Sequence, residues 1–518
     1  MSHKADMHVP RGSDGRVLPT KDSNKERPGW SPPLSAESPE GRRPTTENTE
    51  QLPSSRTQSR SGSPDELTGL RGVRQAARRD NGLRFTALLH HVSVERLRAS
   101  FFALKREAAP GLDGRTWREY RGAHEEGEEV ATHETGLDAR LRDLHDRVHR
   151  GSYRAQPSKR AYIPKADGRL RPLGIAALED KIVQHAVGMV LQQIYEADFV
   201  GFSYGFRPGR SQHDALDALY TGLMRRPVNW VLDADIRGFF DTLDHEWLMR
   251  FVEHRIADPR VLRLIRKWLR AGVSEDGEWS ETTVGTPQGA VISPLLANIY
   301  LHYVFDRWVQ RWRTRHATGV VIVVRYADDI VMGFEQREDA ERCLAAWQVR
   351  LQQFGLALHP EKTRLLEFGR HAAAQRRSRG DGKPETFDFL GFTHICGKSR
   401  AGRFVVRRKT IRTRLRAKLQ KLKQELRARW HDPVSVLGPW LTRVVQGYFN
   451  YHAVPGNGAS LQRFRAQVIW LWFRALRRRG QRHRLSWVRF APLVRRWIPS
   501  TKILHPPPLA RFAAMHPR

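Results

Sequence analysis

The sequence predicts an α+β fold, and three observations point to it. Between residues 152 and 400, apolar runs of strand length (Trp230 to Ala234, Val320 to Tyr326, Ile330 to Phe334) alternate with amphipathic helical segments. After Arg403 the pattern becomes helical, with Ile411, Leu415, Leu419, Leu422 and Leu426 on one face. A length of 518 residues is enough for a buried core and about three domains or subdomains.

Charge narrows the partners. Lysine and arginine number 89 against 55 acids, a formal charge of +34, and a field of that size favours a polyanion over a small metabolite. The longest purely aliphatic run, Val320 to Val324, is far short of the ~20 residues a membrane span needs, so no membrane is expected. The N-terminus has no apolar signal core, and the two cysteines, Cys343 and Cys396, are far apart without Cys-x-x-Cys spacing. These features point to the reducing cytoplasm and exclude a disulfide framework or a cysteine-built zinc site.

Along the chain, residues 1–80 are dominated by Ser, Pro, Arg, Glu, Gly and Thr and read as a disordered basic arm. Folded sequence is expected from near Leu83, with helical spacing through Leu97, Phe101 and Leu104 and a break at Ala109-Pro-Gly-Leu-Asp-Gly114. A first folded region covers 81–228, a second 229–400 and a helical third 401–500, with a Pro-rich tail over 501–518. Residues 401–430 hold twelve Lys/Arg and one acid, Glu425. A solvated basic face is the ordinary reading of such a helix. Twelve positives with a single negative repel one another unless an anion neutralises them, which favours nucleic acid.

The chemistry is concentrated in carboxylates. In Val321-Ile-Val-Val-Arg-Tyr-Ala-Asp328-Asp329-Ile-Val-Met-Gly-Phe334, two apolar strands flank adjacent acids, so a β-hairpin would carry both at its tip. An Asp-Asp pair alone is also an ordinary polar turn. The second segment, Trp230-Val-Leu-Asp233-Ala-Asp235, is an apolar strand ending in acids, from which a third carboxylate can join the pair. Phosphoryl transfer uses such a cluster because two Mg²⁺ about 3.5–4 Å apart activate the attacking hydroxyl and stabilise the leaving group. Asp233 shares a face with Asp235 and competes with it as the third ligand.

Tyr326-Ala-Asp-Asp329 resembles the signature hairpin of reverse transcriptases, and Asp235-Ile-Arg-Gly-Phe-Phe-Asp241 resembles their first palm motif. Further matches follow in the family's order: Ile163-Pro-Lys165 with Gly168-Arg-Leu-Arg-Pro-Leu-Gly174, Tyr204-Gly-Phe-Arg-Pro-Gly-Arg210, Gly285-Thr-Pro-Gln-Gly289, Gly355-Leu-Ala-Leu-His-Pro-Glu-Lys362 and Phe389-Leu-Gly-Phe392. Pro110-Gly-Leu-Asp-Gly114 is similar to the N-terminal extension of group II intron enzymes. Gly447-Tyr-Phe-Asn-Tyr-His-Ala-Val-Pro-Gly456 and Leu476-Arg-Arg-Arg-Gly-Gln481 are similar to their maturase region. The motifs cover roughly residues 83 to 400.

The resemblance implies a right-hand polymerase, with fingers near 83–228, palm near 229–400 and a helical thumb near 405–500. It implies that Asp235, Asp328 and Asp329, with the backbone carbonyl of Ile236, hold two Mg²⁺. Lys165, Arg169 and Arg171, beside a glycine turn, suit the incoming triphosphate, or else form an exposed basic hairpin. Phe240 matches the aromatic that lies under the sugar, unless it is an ordinary core residue. Gln288 is expected at the nascent base pair and Tyr326 at the substrate. Lys362 would protonate the leaving pyrophosphate, or is a surface charge. Arg207, Arg210, Arg408, Lys409, Arg412, Arg416, Arg478 and Arg479 are the expected nucleic-acid contacts. The implied activity is RNA-directed DNA synthesis with maturase function, using an intron RNA template, a DNA primer or target and dNTPs. Nothing after Arg478 resembles a His/Cys metal endonuclease, so no DNA cleavage is expected. A splicing-only RNA-binding maturase, and an intron-like enzyme adapted to antiviral defence or CRISPR adaptation, are the alternatives.

Overall fold

The computed structural model describes residues 64–122, 134–164, 170–275, 277–282, 284–479 and 485–515. Its strands are β1 (Ser158–Pro164), β2 (Leu170–Ile175), β3 (Trp230–Asp235), β4 (Val273–Glu275), β5 (Glu278–Ser280), β6 (Val321–Tyr326), β7 (Asp329–Phe334), β8 (Arg364–Glu367), β9 (Thr386–Phe389), β10 (Phe392–Lys398) and β11 (Phe404–Thr410). They form three sheets, ordered β2-β1-β4-β5, β6-β7-β3-β8 and β11-β10-β9, among many helices. The fold is mixed helix and mainly antiparallel sheet, the expected α+β class.

The sheet β6-β7-β3-β8 is antiparallel throughout. Its central strands are buried on both sides. Leu232, Ala234, Ile330 and Met332 face one apolar cluster, while Val231, Val324, Val331 and Leu366 face another. A strand covered on both faces has no polar side to alternate with, so β6 and β7 read in the sequence as continuous apolar runs. Asp235, Asp328 and Asp329 stand at one end of these strands, where the apolar cover stops.

Folded structure starts earlier than residue 83. A helix runs from Pro64 to Arg79 and buries Leu70, Val73 and Ala77, one helical face, in the core that includes the Leu178–Asp198 helix. Arg255, itself buried and ion-paired to Asp198 at 3.1 Å, donates to the Asn81 and Ala77 carbonyls and holds the end of that helix. The polar composition of residues 1–80 concealed this stripe. The remainder of the expected arm, residues 1–63, lies outside the described residues.

Helices Arg412–Ala428, Val434–His452, Gly458–Arg477 and Trp487–Trp497 build a separate apolar core. Leu415, Leu422 and Leu426 are buried in it and Leu419 packs against it, as the helical spacing predicts. The Pro-rich tail carries a helix. Helix Pro508–Met515 packs on helix Gln212–Arg225, where buried Asp217 accepts from Arg408 of β11 at 3.1 Å and from Arg511 of the tail. His505 adds a bond to the Asn450 carbonyl at 2.7 Å. One carboxylate thus joins three chain segments that are remote in sequence.

Breaking a buried ion pair by removing one partner costs about 3–5 kcal/mol. We therefore expect Arg408→Ala to lower stability by about 3 kcal/mol, seen as a reduced urea midpoint with an unchanged slope. An unaltered midpoint would show that Arg511 alone satisfies Asp217.

Candidate active site

The register brings the acids together. Tyr326 pairs with Asp329 across β6 and β7, so Ala327 and Asp328 form a two-residue hairpin turn. Asp329 in turn pairs with Asp235 across β7 and β3. Ala327 has a φ of 56°, the left-handed region that a side chain normally avoids. Something must hold it there.

Two features do. The backbone at Gly205 lies directly against the turn, and a Cβ there would stand 2.3 Å from the Ala327 nitrogen, so only glycine fits. Beneath the turn lies the fully buried guanidinium of Arg325. It donates to both Asp306 oxygens at 2.7 and 2.6 Å, to Asn298 Oδ1 at 2.9 Å, to Ser203 Oγ at 2.7 Å and to the Ala327 carbonyl at 3.0 Å. Asn298 also donates to the Gly205 carbonyl at 2.7 Å, tying the two supports to each other. Asp306 ends a π-helical turn, His302–Asp306, an interruption of the kind that often accompanies functional sites. Burial pushes its carboxyl up and Arg325 opposes the shift.

At the end of β3, an isolated bridge between Ile236 and Leu358 brings the Gly355–Lys362 loop alongside. The Asp235 carbonyl accepts from His359 at 2.8 Å, and the Arg237 amide donates to Ala357 at 2.9 Å. This bridge does not use the carbonyl of Ile236. The loop sets the Lys362 ammonium 2.6 Å from an Asp235 oxygen. Asp233 is engaged elsewhere: Arg364 of β8 contacts it at 3.4 Å, while burial raises its carboxyl to about 6.

Burial first, then the neighbouring acids, push the carboxyls of Asp328 and Asp329 up. Arg171 and Lys362 oppose the shift at Asp328, and Arg414 opposes it at Asp329. Hard oxygen donors with a deficit of positive charge suit Mg²⁺, which takes carboxylates and carbonyls as ligands. As they stand, no three His, Cys, Asp or Glu side chains among the described residues are gathered to hold a metal ion. The Lys362 ammonium, on Asp235, supplies the positive charge there.

Backbone bonds tie several of the residues expected at the substrate to one another. The Gln288 carbonyl accepts from the Gly174 amide at 2.7 Å, and Thr286 donates to the Phe240 carbonyl at 2.8 Å. Gly289, at φ 115°, sits so close that a Cβ would meet the Gly174 carbonyl oxygen at 2.9 Å. The turn Gly285–Gly289 thus joins β2, which carries Arg171, to the turn carrying Phe240. The helix after it begins at Ser293, with Pro294 in its first turn, and the Ser293 hydroxyl donates to the Pro287 carbonyl at 3.1 Å. Phe240, Gln288 and Arg171 are half-buried and Tyr326 is buried. Lys165 and Arg169 lie outside the described residues.

Two of the expected nucleic-acid contacts need correction. Arg207 is buried, paired to Glu196 at 2.9 Å and donating to the Val200 and Ser203 carbonyls at 2.8 Å each. Arg408 is buried on Asp217. Both guanidiniums are fixed inside the protein and offer no surface to a phosphate. Lys409, Arg412, Arg416 and Arg478 are exposed. Arg210 is half-buried over the Tyr204 ring, and Arg479 donates to the Asp432 carbonyl at 2.7 Å, joining the segments that follow helices Arg412–Ala428 and Gly458–Arg477.

Sequence reasoning passed over Arg325, Asn298, Asp306 and Arg414. A cation inside the apolar run Val321–Tyr326 was the available signal for Arg325. Arg414 gave none, being one of twelve positives. Its proximity to Asp329 comes with a second tight turn, Leu390-Gly391, at φ 44° and 84°, whose Leu390 carbonyl accepts from the Tyr451 hydroxyl at 2.7 Å.

Residues 163–394 match the family described as "Reverse transcriptase (RNA-dependent DNA polymerase)", a span that contains the four acids, the Gly285–Gly289 turn and Lys362. The chain is 37% identical over 302 residues to Protein YkfC of Escherichia coli (strain K12), covering 50% of this chain and 78% of that one. It is 43% identical over 160 residues to the Group II intron-encoded protein LtrA of Lactococcus lactis subsp. cremoris, covering 31% and 26%. To the Nuclear intron maturase 2, mitochondrial, of Arabidopsis thaliana it is 25% identical over 236 residues, covering 37% and 30%. The chain therefore spans most of the first relative and only about a quarter to a third of the other two.

The buried fork beneath the hairpin yields a prediction. Arg325→Lys keeps the charge but loses the planar geometry that serves Asp306, Asn298, Ser203 and Ala327 together. A loss of about 2–3 kcal/mol is expected, with faster amide hydrogen exchange across β6 and β7 than elsewhere in the sheet. Unchanged exchange there would show that Gly205 alone holds the turn.

Proposed function

The chain belongs to the reverse transcriptase family, among relatives of the group II intron-encoded proteins, and on that footing we propose that it synthesises DNA on an intron RNA template and assists splicing of that RNA. One observation carries the reading: Asp235 stands opposite Asp329 on neighbouring strands, with Asp328 in the adjoining turn.

In this proposal Asp235, Asp328, Asp329 and the Ile236 carbonyl hold two Mg²⁺. When bound, the ions lower the charge barrier to attack by a primer 3′-hydroxyl on the triphosphate. The protein's own groups do the rest. Arg171, already close enough to influence Asp328, orients the triphosphate together with Lys165 and Arg169. Gln288 and Phe240 border the base and sugar, with Tyr326 behind them. Lys362 carries a proton at the edge of the acid cluster, where a departing pyrophosphate would need one. With Asp235 serving as a ligand, the Lys362 ammonium beside it would be available for that role.

The right-hand arrangement assigns fingers, palm and thumb to the regions near 83–228, 229–400 and 405–500. Lys409, Arg412, Arg416 and Arg478, exposed on the C-terminal part, would follow the phosphate backbone, with Arg210 and Arg479 at its margin. Among the described residues no helix is long and apolar enough to cross a membrane.

With Mg²⁺, dNTPs and a DNA primer annealed to RNA, the wild-type chain is expected to extend the primer. Asp328→Ala combined with Asp329→Ala should lower extension at least about 10³-fold while RNA binding is retained. No extension by either protein, with tight RNA binding by both, would assign the chain to splicing without synthesis. Lys362→Ala is expected to slow single-nucleotide incorporation about 10²-fold. A rate within twofold of wild type would make Lys362 a surface charge.

A further inference from the structure

A cleft runs between helices Arg412–Ala428 and Gly458–Arg477, with a volume of about 170 Å³. Lys423, Arg427, Trp430, Trp470, Arg474 and Arg478 line it, over an apolar floor that includes buried Leu426. It shares no residue with the carboxylate site. We propose that it captures an unstacked base of single-stranded RNA. The proposal rests on the reading of the chain as an RNA-binding polymerase and deepens it.

Trp470 is the first argument. Phe464, Val468 and Trp472 of the same helix are buried in the core, whereas Trp470 is 45% exposed. An indole turned to solvent at the mouth of a cleft contributes little to the core and presents a flat π-face. Arg474 lies over that ring, its guanidinium carbon 4.5 Å from the centroid, which holds the indole in place and adds a cation beside it.

Charge is the second. Four cations line the cleft and no acid does. None of the four forms an ion pair with a described acid, although Arg429 nearby is paired to Asp432 at 3.3 Å. Positive charge left unneutralised around an aromatic cleft matches a ligand that brings flat rings and phosphates together. Single-stranded RNA does so, its bases stacking on aromatic side chains while cations track the backbone. An acidic peptide would satisfy the cations but leave the indole without a partner.

Size is the third. At about 170 Å³ the cleft is smaller than the roughly 300–1,000 Å³ of sites that enclose drug-sized molecules, and it suits one ring system.

The test uses the full chain and a single-stranded RNA carrying one 2-aminopurine, whose fluorescence falls on stacking. Wild type should quench the probe. Trp470→Ala should abolish the quench at saturation and weaken binding about tenfold, the order expected of one stacked base. Trp470→Phe, which keeps a π-face, should restore most of both. Tight binding by Trp470→Ala with the quench intact would overturn the assignment. So would an oligoglutamate peptide that binds wild type more tightly than the RNA does and loses that binding in Trp470→Ala, which would assign the cleft to an acidic protein. If wild type shows no salt-sensitive affinity for RNA, the RNA-binding reading fails and this proposal fails with it. Those outcomes are distinguished by wild-type affinity alone.

Discussion

The Arg325 guanidinium is the interaction on which the site depends. A hairpin with a left-handed alanine at its tip is disfavoured by sterics, and a pair of adjacent carboxylates is disfavoured by charge. Neither would persist on an isolated hairpin. Arg325 binds the Ala327 carbonyl from inside while Asp306 neutralises its charge and Asn298 and Ser203 complete its donor set. A partly satisfied buried guanidinium would be costly, so the network specifies one geometry. Gly205 then closes the outer side, where any side chain would collide with the turn.

Apolar strands buried on both faces make this end of the sheet rigid and set Asp235, Asp328 and Asp329 where the cover stops. That is why they converge at one edge. Their mutual repulsion is offset in different ways. Lys362 reaches Asp235, Arg171 influences Asp328 and Arg414 influences Asp329. Each cation comes from a different part of the chain, so the electrostatics of the site depend on the β2 strand, the loop before β8 and the first helix of the C-terminal unit being held together. Asp217, joining β11 and the tail to helix Gln212–Arg225, contributes to that.

Much of this was legible from residue order. Strand runs with acids at their ends revealed the central sheet, and the spacing of Leu415, Leu422 and Leu426 revealed the helix that buries them. What the sequence concealed was long-range pairing. Arg207 and Arg408 sit in basic, motif-like stretches, yet their partners Glu196 and Asp217 lie respectively 11 and 191 positions away and place them inside the protein. The helix at Pro64–Arg79 was masked by its polar flanks, because a stripe of three apolar residues hardly alters average composition. The tail helix was hidden for the same reason, one of its anchors being a single arginine. Asp233 and Asp235 could not be separated from spacing alone. The register does separate them, pairing Asp233 with Arg364 and Asp235 with Asp329.

That separation gives the most direct measurement of the account. Single-nucleotide primer extension on an RNA template, in Mg²⁺, should be lost in Asp235→Asn and remain within about tenfold of wild type in Asp233→Asn, since only the former removes a proposed metal ligand. Extension by Asp235→Asn at the wild-type rate, with activity lost in Asp233→Asn, would contradict the assignment of the site.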